Sequence, residues 1–151
     1  EIRDRSNMRG ALIAKYPDEG GDVNSMQGND VVIARYAGVL LLLAEAINEN
    51  NNGPTAEAIA LVDSVRTRAG IKSLEEAGID ISTREAFNDV ILSERGKELY
   101  FEGVRKMDLV RHGKWESALQ SVGKTPGPYL FPIPDYAINN SNGKLIQNDG
   151  Y

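Results

Sequence analysis

At 151 residues the chain is long enough for one domain with a real core and too short for two comfortable ones. Its 41% apolar and 26% charged residues suit a folded globular protein rather than a disordered one, and a net charge of -5 weighs against a grip on nucleic acid, which needs clustered lysine and arginine. With no cysteine, these residues can supply no disulfide, thiol nucleophile, zinc–thiolate site or lipid-modified cysteine.

The opening EIRDRSNMRG carries charges but no apolar signal core, so no targeting segment is read and the chain is expected to begin mid-protein. Residues 1–32 are expected to form loops with one or two short strands, ALIAKY (11–16) being the strand-like stretch, as a segment continuing from a missing N-terminal part. In DEGGDVNSMQGND (18–30), Asp22 and Asn24 have the spacing of a calcium loop. Met26 stands where a third oxygen ligand belongs, and no glutamate follows at the right distance, so the stretch reads as a surface loop.

From Val32 to Asn50, Val39, Leu42, Leu43, Ala46 and Ile47 fall at helical spacing, and Leu40 and Leu41 spread the apolar surface around the cylinder; such a helix is expected to be buried nearly all round. Its apolar run Ala37–Ala44 is about half of what a bilayer span needs, and Glu45 closes it. NNNGP (50–54) is a turn. A second helix follows, with Ala58, Leu61, Val62, Val65 and Ala69 on one stripe and Gly70 in the place of a C-terminal cap. Small residues Ala44, Ala46 and Ala58 let the two backbones approach as in the helix pairs of tetratricopeptide-type repeats, of which one pair is visible rather than an array.

After a linker ending GIDIS, Ser82 and Glu85 have the spacing of a capping box that starts a third helix, expected to run at least to Glu102. Gly103 breaks or bends it, and VRKMDLVRHG continues as a short helix that Gly113 stops. Beyond Trp115, Pro126, Pro128, Pro132 and Pro134 with Asn139, Asn140, Asn142 and Gly143 predict mostly extended coil, with Asp135 capping one helical turn. The fold class is therefore mainly α, with tetratricopeptide-like helix pairs in residues 33–151 and a long irregular proline-rich C-terminal segment.

The stretch SERGKELYFEGVRKMDLVRHG (93–113) holds Glu94, Glu98 and Glu102 four apart, then Arg105, Asp108 and Arg111 three apart. On one continuous helix at ~100° per residue, Glu94, Glu98, Glu102, Arg105 and Asp108 share a third of the circumference with Phe87, Val90, Ile91 and Phe101. Leu92, Leu99, Met107 and Val110 hold the opposite side, so no face is purely polar and the charges must be partly buried. Buried charges need partners. Glu102 with Arg105, and Arg105 with Asp108, can pair within the helix; Glu94 and Glu98 need cations from elsewhere, and Arg35, Arg66 and Arg68 are the candidates.

Glutamates four apart also invite a glycosidase reading, since their Cβ atoms are ~5–6 Å apart and retaining carboxyl groups stand ~5–5.5 Å apart. A general acid needs a raised pKa, which neighbouring arginines oppose, and a packed helix offers no cleft for a sugar ring. The chain has no glycine-rich phosphate loop, no nucleophile elbow and no histidine pair for zinc, so no catalytic residue, metal or cofactor is expected. The single His112 reads as a cap at its helix end rather than a base.

RYAGVLLLLAEAINE (35–49), VRTRAG (65–70), SERGKELYFEGVRKMDLVRHG (93–113), and LFPIPDYAI (130–138) with QNDGY (147–151) together resemble, in order and spacing, the C-terminal region of SusD/RagB-type proteins. The resemblance covers about residues 30–151 well and the stretch with AKYP (14–17) loosely. Gly38, where an acidic residue is common, Gly96 in the charged helix, and Asp149, where proline is common, depart from the pattern.

The resemblance implies a non-enzymatic role. Such proteins hold oligosaccharide at the bacterial surface and pass it to a SusC-like TonB-dependent transporter of the outer membrane, to which a lipid anchor outside these residues ties them. Their ligand sites draw largely on loops and aromatics that vary between members. Trp115, Tyr129 and Tyr136 are the candidates here, against the plainer reading that Trp115 packs under the proline-rich tail and that Tyr129 and Tyr136 belong to the core. The competing function is a helical protein-interaction scaffold without its own sugar site.

Overall fold

The structure is a computed structural model that describes residues 15–16 and 29–151. Among them are six helices and no strand: α1 (Tyr36–Asn50), α2 (Ala56–Arg68), α3 (Arg84–Glu98), α4 (Arg105–Arg111), α5 (Trp115–Ser121) and α6 (Asp135–Asn140). The strand-like 11–16 and the loop 18–30 lie outside the described residues, save Lys15, Tyr16, Asn29 and Asp30.

The core is built by α1, α2 and α3. α1 buries Gly38, Leu41, Ala44 and Asn48, a stripe at helical spacing, against Ala58, Val62 and Val65 of α2 and Phe87 and Ile91 of α3. Burying each large apolar side chain contributes roughly 1.5–3 kcal/mol. α1 is not buried all round: Val39, Leu42 and Leu43 are about half exposed, and Ala46 and Ala69 are exposed too. A run of adjacent leucines covers every direction of the cylinder, but two neighbouring helices can cover only one side of it.

The chain reverses at 51–55, and Arg35 at the start of α1 lies near Arg68 at the end of α2, both pairing with Glu98, so the two helices are antiparallel. Thr55 caps α2 by accepting from the Ala58 amide at 3.2 Å. At the other end Gly70 takes φ +73; its amide donates to Thr67 O (2.9 Å) and the Ile71 amide to Arg66 O (3.1 Å), the paired bonds of a Schellman motif. α3 runs back along α1: Asn48, fully buried near the C-terminal end of α1, donates to Arg84 O (2.9 Å) and Asn88 Oδ1 (2.7 Å) at the start of α3, while Arg35 meets its end.

Two boundaries differ from the expectation. The N-cap of α3 is Thr83, which accepts from the Ala86 amide at 3.0 Å, and Ser82 instead donates its amide to Asp80 Oδ1. The reciprocal Ser/Glu box forms earlier, at Ser73 and Glu76, each amide donating to the other's side chain at 3.1 and 3.2 Å. It closes a turn that drops Leu74 into the core, where that side chain is 0% exposed.

α3 stops at Glu98, not Glu102. The Glu98 carbonyl accepts from Arg35 Nη2 (2.6 Å) and Lys15 Nζ (2.8 Å), and the Glu102 amide turns to Leu99 O. The cations thus take a carbonyl that a continuing helix would need.

The C-terminal region carries more helix than its prolines suggested, since α5 follows α4 directly. Pro134 occupies the cap position of α6, and Asp135 lies in its first turn without capping it. The tail is stitched to itself: Gln147 bonds both the amide and the carbonyl of Ile133 (2.7 and 2.9 Å), Asn148 donates to Phe131 O (2.7 Å), and the Tyr151 hydroxyl donates to Leu130 O (3.1 Å). LFPIPDYAI and QNDGY therefore form one folded strap.

Thr83→Ala should cost about 1 kcal/mol in chemical denaturation, whereas Ser82→Ala should cost under about 0.5 kcal/mol. The reverse order would place the cap at Ser82.

Candidate functional site

The acid row of 93–113 meets cations from every neighbouring segment. Glu94 pairs with Arg66 at 2.6 Å, both side chains only 6% exposed, and with Lys97 at 3.0 Å. Glu98 pairs with Arg35 (2.7 Å) and Arg68 (2.5 Å). Glu102 accepts from Arg35 Nε on both oxygens (3.0 and 3.1 Å), from the Tyr16 hydroxyl (3.1 Å) and from Lys15. Asp108 is held between Arg95 (2.9 Å) and Arg111 (3.0 Å), and Arg111 reaches on to Glu45 at 2.8 Å.

The intrahelical pairs expected for Arg105 do not form: Glu102 lies in the turn outside α4, and Asp108, though on α4 with Arg105, is taken by Arg95 and Arg111. Arg105 instead folds back and donates Nη1 to Leu92 O at 2.6 Å. Gly96 makes room for it: a Cβ there would stand 2.7 Å from that nitrogen. At Gly38 a Cβ would meet Leu99 at an ordinary 3.6 Å, and the Gly38 carbonyl accepts from Arg95 at 3.3 Å.

The electrostatics follow from this wiring. Burial would raise the Glu102 carboxyl, but hydrogen bonds from Arg35, Lys15 and Tyr16 outweigh it and hold it at about 2. Glu98 is also lowered, burial again opposing the hydrogen bonds from Arg35 and Arg68. The Glu102 hydrogen bonds raise Arg35 above its ordinary value. Carboxylates held so firmly ionised accept hydrogen bonds well and make poor proton donors.

His112 occupies the cap position of α4, with Nε2 3.3 Å from Glu45 Oε1 but without hydrogen-bond geometry. Among the described residues, no group of three or more histidine, aspartate or glutamate side chains could hold a metal ion. No helix among the described residues is long and apolar enough to cross a membrane.

The tail presents aromatic side chains. Trp115, at the start of α5, is half-buried, its indole N–H 3.4 Å from Gly127 O, and the Lys106 ammonium lies 5.4 Å from the Trp115 ring centroid and 4.0 Å from that of Phe131. Tyr129 and Tyr136, which the plainer reading places in the core, are exposed by 49% and 72%, and the Tyr129 hydroxyl donates to Glu116 at 2.7 Å. The strap is too thin a layer to bury both its faces.

Sequence reasoning passed over Lys15, Tyr16, Glu45, Asn48 and Arg95. Arg95 was findable, since it sits one residue from Glu94 on the same buried helix. Lys15 is 87 residues from Glu102, and no local pattern links them.

These features define a helical scaffold of tetratricopeptide-like pairs, locked by buried arginine–carboxylate contacts and carrying an aromatic strap. The family model described as the SusD family matches residues 1–128. The chain belongs to the SusD family. It is 34% identical to SusD-like protein P38 of Formosa agariphila over 84% of its length, and 28% identical to starch-binding protein SusD of Bacteroides thetaiotaomicron over 97%. A crystal structure of a SusD homolog from Bacteroides thetaiotaomicron superposes with a TM-score of 0.66 and 31% identity, covering 79% of this chain and 26% of that one. The chain spans 26% and 24% of the two curated relatives.

Arg66→Met should cost about 3–5 kcal/mol in urea unfolding, because it leaves the buried Glu94 with only the largely exposed Lys97 as a partner. Arg68→Ala, whose side chain is 59% exposed, should cost less than about 1 kcal/mol. Because folding lowers the Glu102 pKa, its contribution is fully present above 4.5 and lost as pH falls towards about 2. The stability gap between the wild-type chain and Glu102→Gln should therefore shrink across that range; a gap constant from pH 7 to 2.5 would contradict the assignment.

Proposed function

We propose that this chain is part of a non-catalytic glycan-binding protein of the bacterial surface, which holds oligosaccharide and delivers it to a SusC-like TonB-dependent transporter in the outer membrane. The observation that carries the reading is the strap: Tyr129, Phe131 and Tyr136 are exposed by 49%, 73% and 72% on a segment pinned by side-chain hydrogen bonds. Exposed aromatic rings held in place are what the apolar face of a pyranose stacks on, and prior ordering lowers the entropy cost of binding. The name of one relative, a starch-binding protein, points the same way.

Within this reading Tyr136 and Tyr129 are stacking residues, and Trp115 supports them through the cation it shares with Phe131. The acids of 93–113 take no part in chemistry: with arginines holding Glu98 and Glu102 below their ordinary range, neither suits the role of general acid. A lipid anchor outside these residues would hold the protein at the outer membrane.

The half-exposed Val39, Leu42 and Leu43 of α1 favour the competing scaffold reading, since an apolar helix face suits contact with another polypeptide.

Isothermal titration of the protein against a panel of neutral and acidic oligosaccharides should show binding that Tyr136→Ala weakens by about tenfold, the size expected for one lost stacking contact. No heat with any glycan, beside a stable complex with a transporter, would favour the scaffold.

A further inference from the structure

Two hollows share Gly96 and Arg105 in their walls. One, of about 540 Å³, lies between α3 and α5 and is edged by Ser93, Lys97, Lys114, Ser117 and Ser121. The other, of about 690 Å³, lies against the turn after α3, beside Tyr100 and Phe101.

Their charge runs against that of the chain. The protein carries -5 overall, yet Lys97, Arg105 and Lys114 line the first hollow and Asp89 is its sole carboxylate. Asp89 is matched by Lys114 at 3.0 Å. Lys97 contacts Glu94, but Arg66 already neutralises that acid at 2.6 Å. Arg105 has no carboxylate partner among the described residues; only its bond to Leu92 O holds it. Gly96 allows the guanidinium to lie against α3, since a Cβ there would stand 2.7 Å from Nη1 and 2.9 Å from Cζ.

The adjoining turn presents two rings. Tyr100 is 58% exposed and Phe101 70% exposed, with centroids 6.5 Å apart. Phe101 takes φ +66, a conformation that costs an aromatic residue roughly 1–3 kcal/mol. The hydroxyls of Ser117 and Ser121 donate to carbonyls of their own helix, which leaves their oxygens to accept from a ligand's hydroxyl groups.

We propose that this face is a second carbohydrate site, selective for an acidic sugar unit of an oligosaccharide. A uronate carboxylate takes the two-pronged guanidinium of Arg105, its pyranose ring stacks on Tyr100 or Phe101, and Lys97 supports the charge from the rim. The site is separate from the tail aromatics, and it rests on the glycan-binding reading while adding the class of sugar.

The test is isothermal titration of the protein with uronic-acid oligosaccharides (galacturonate, mannuronate and glucuronate series) and with their carboxyl-reduced neutral counterparts, at 50 and 300 mM salt. At least one acidic series should bind about tenfold or more tightly than its reduced form, with the advantage shrinking at high salt. Arg105→Gln should abolish that advantage, and Tyr100→Ala should weaken both forms. Thermal melts check that the variants fold; should Arg105→Gln not fold, Lys97→Ala, 64% exposed, should still reduce the advantage by about threefold. Equal binding of acidic and reduced forms, or a preference untouched by these variants, overturns the inference and leaves the glycan reading standing. Binding of no oligosaccharide, neutral or acidic, overturns both.

Discussion

The guanidinium of Arg35 is the contact on which the arrangement depends. It stands just before α1, yet it binds the side chains of Glu98 and Glu102 and the carbonyl that ends α3. One planar group with five donors therefore fixes three things: where α1 begins relative to α3, where α3 stops, and how the turn at 99–104 leaves it. A lysine, with a point charge and no fork, could satisfy one of these partners without setting the angle between them.

The rest of the wiring repeats this logic along the seam. Arg66 ties α2 to α3 through Glu94, Arg95 ties α3 to α4 through Asp108, and Arg111 returns to α1 through Glu45. Each pair costs desolvation that its attraction roughly offsets, so their net stabilisation is modest while the cost of breaking one is large. Such pairs act on geometry more than on stability. They fix α4 relative to the core, and the Lys114–Asp89 pair (3.0 Å) and the Tyr129–Glu116 hydrogen bond (2.7 Å) carry that placement on to α5 and the proline-rich strap.

Helical phase was enough to show that the acids of 93–113 could not all face solvent, and the need for partners pointed to Arg35, Arg66 and Arg68, each of which contacts one or more of them. An unbroken helix would pair Arg105 with Glu102, which the turn at 99–104 prevents, and spacing alone would pair it with Asp108, which Arg95 and Arg111 already hold. The break comes from a long-range capping event, Arg35 and Lys15 on the Glu98 carbonyl, that no local pattern contains. The cap of α3 falls one residue from the expected Ser82 because Ser82 and Thr83 are both capping residues and only Ser82 has a glutamate three residues on; in the fold Ser82 turns to Asp80 and Thr83 takes the cap. α1 looked buried all round because leucine repeats report hydrophobicity, not the number of neighbours available. The exposure of Tyr129 and Tyr136 was illegible for a related reason: a proline-rich strap has no period from which to read its faces.

Glu102 is an ionised strut rather than a proton donor: burial opposes its charge, but hydrogen bonds from Arg35, Lys15 and Tyr16 outweigh that burial and hold the carboxyl at about 2. Carbon-13 NMR of the side-chain carboxyls, followed from pH 7 down to pH 2, reads this directly. The structure predicts that Glu102 reaches its titration midpoint only at about pH 2, with Glu98 also titrating below its ordinary value of 4.5. A Glu102 that takes up its proton at or above pH 4.5 would contradict the wiring and restore the case for acid chemistry in this cluster.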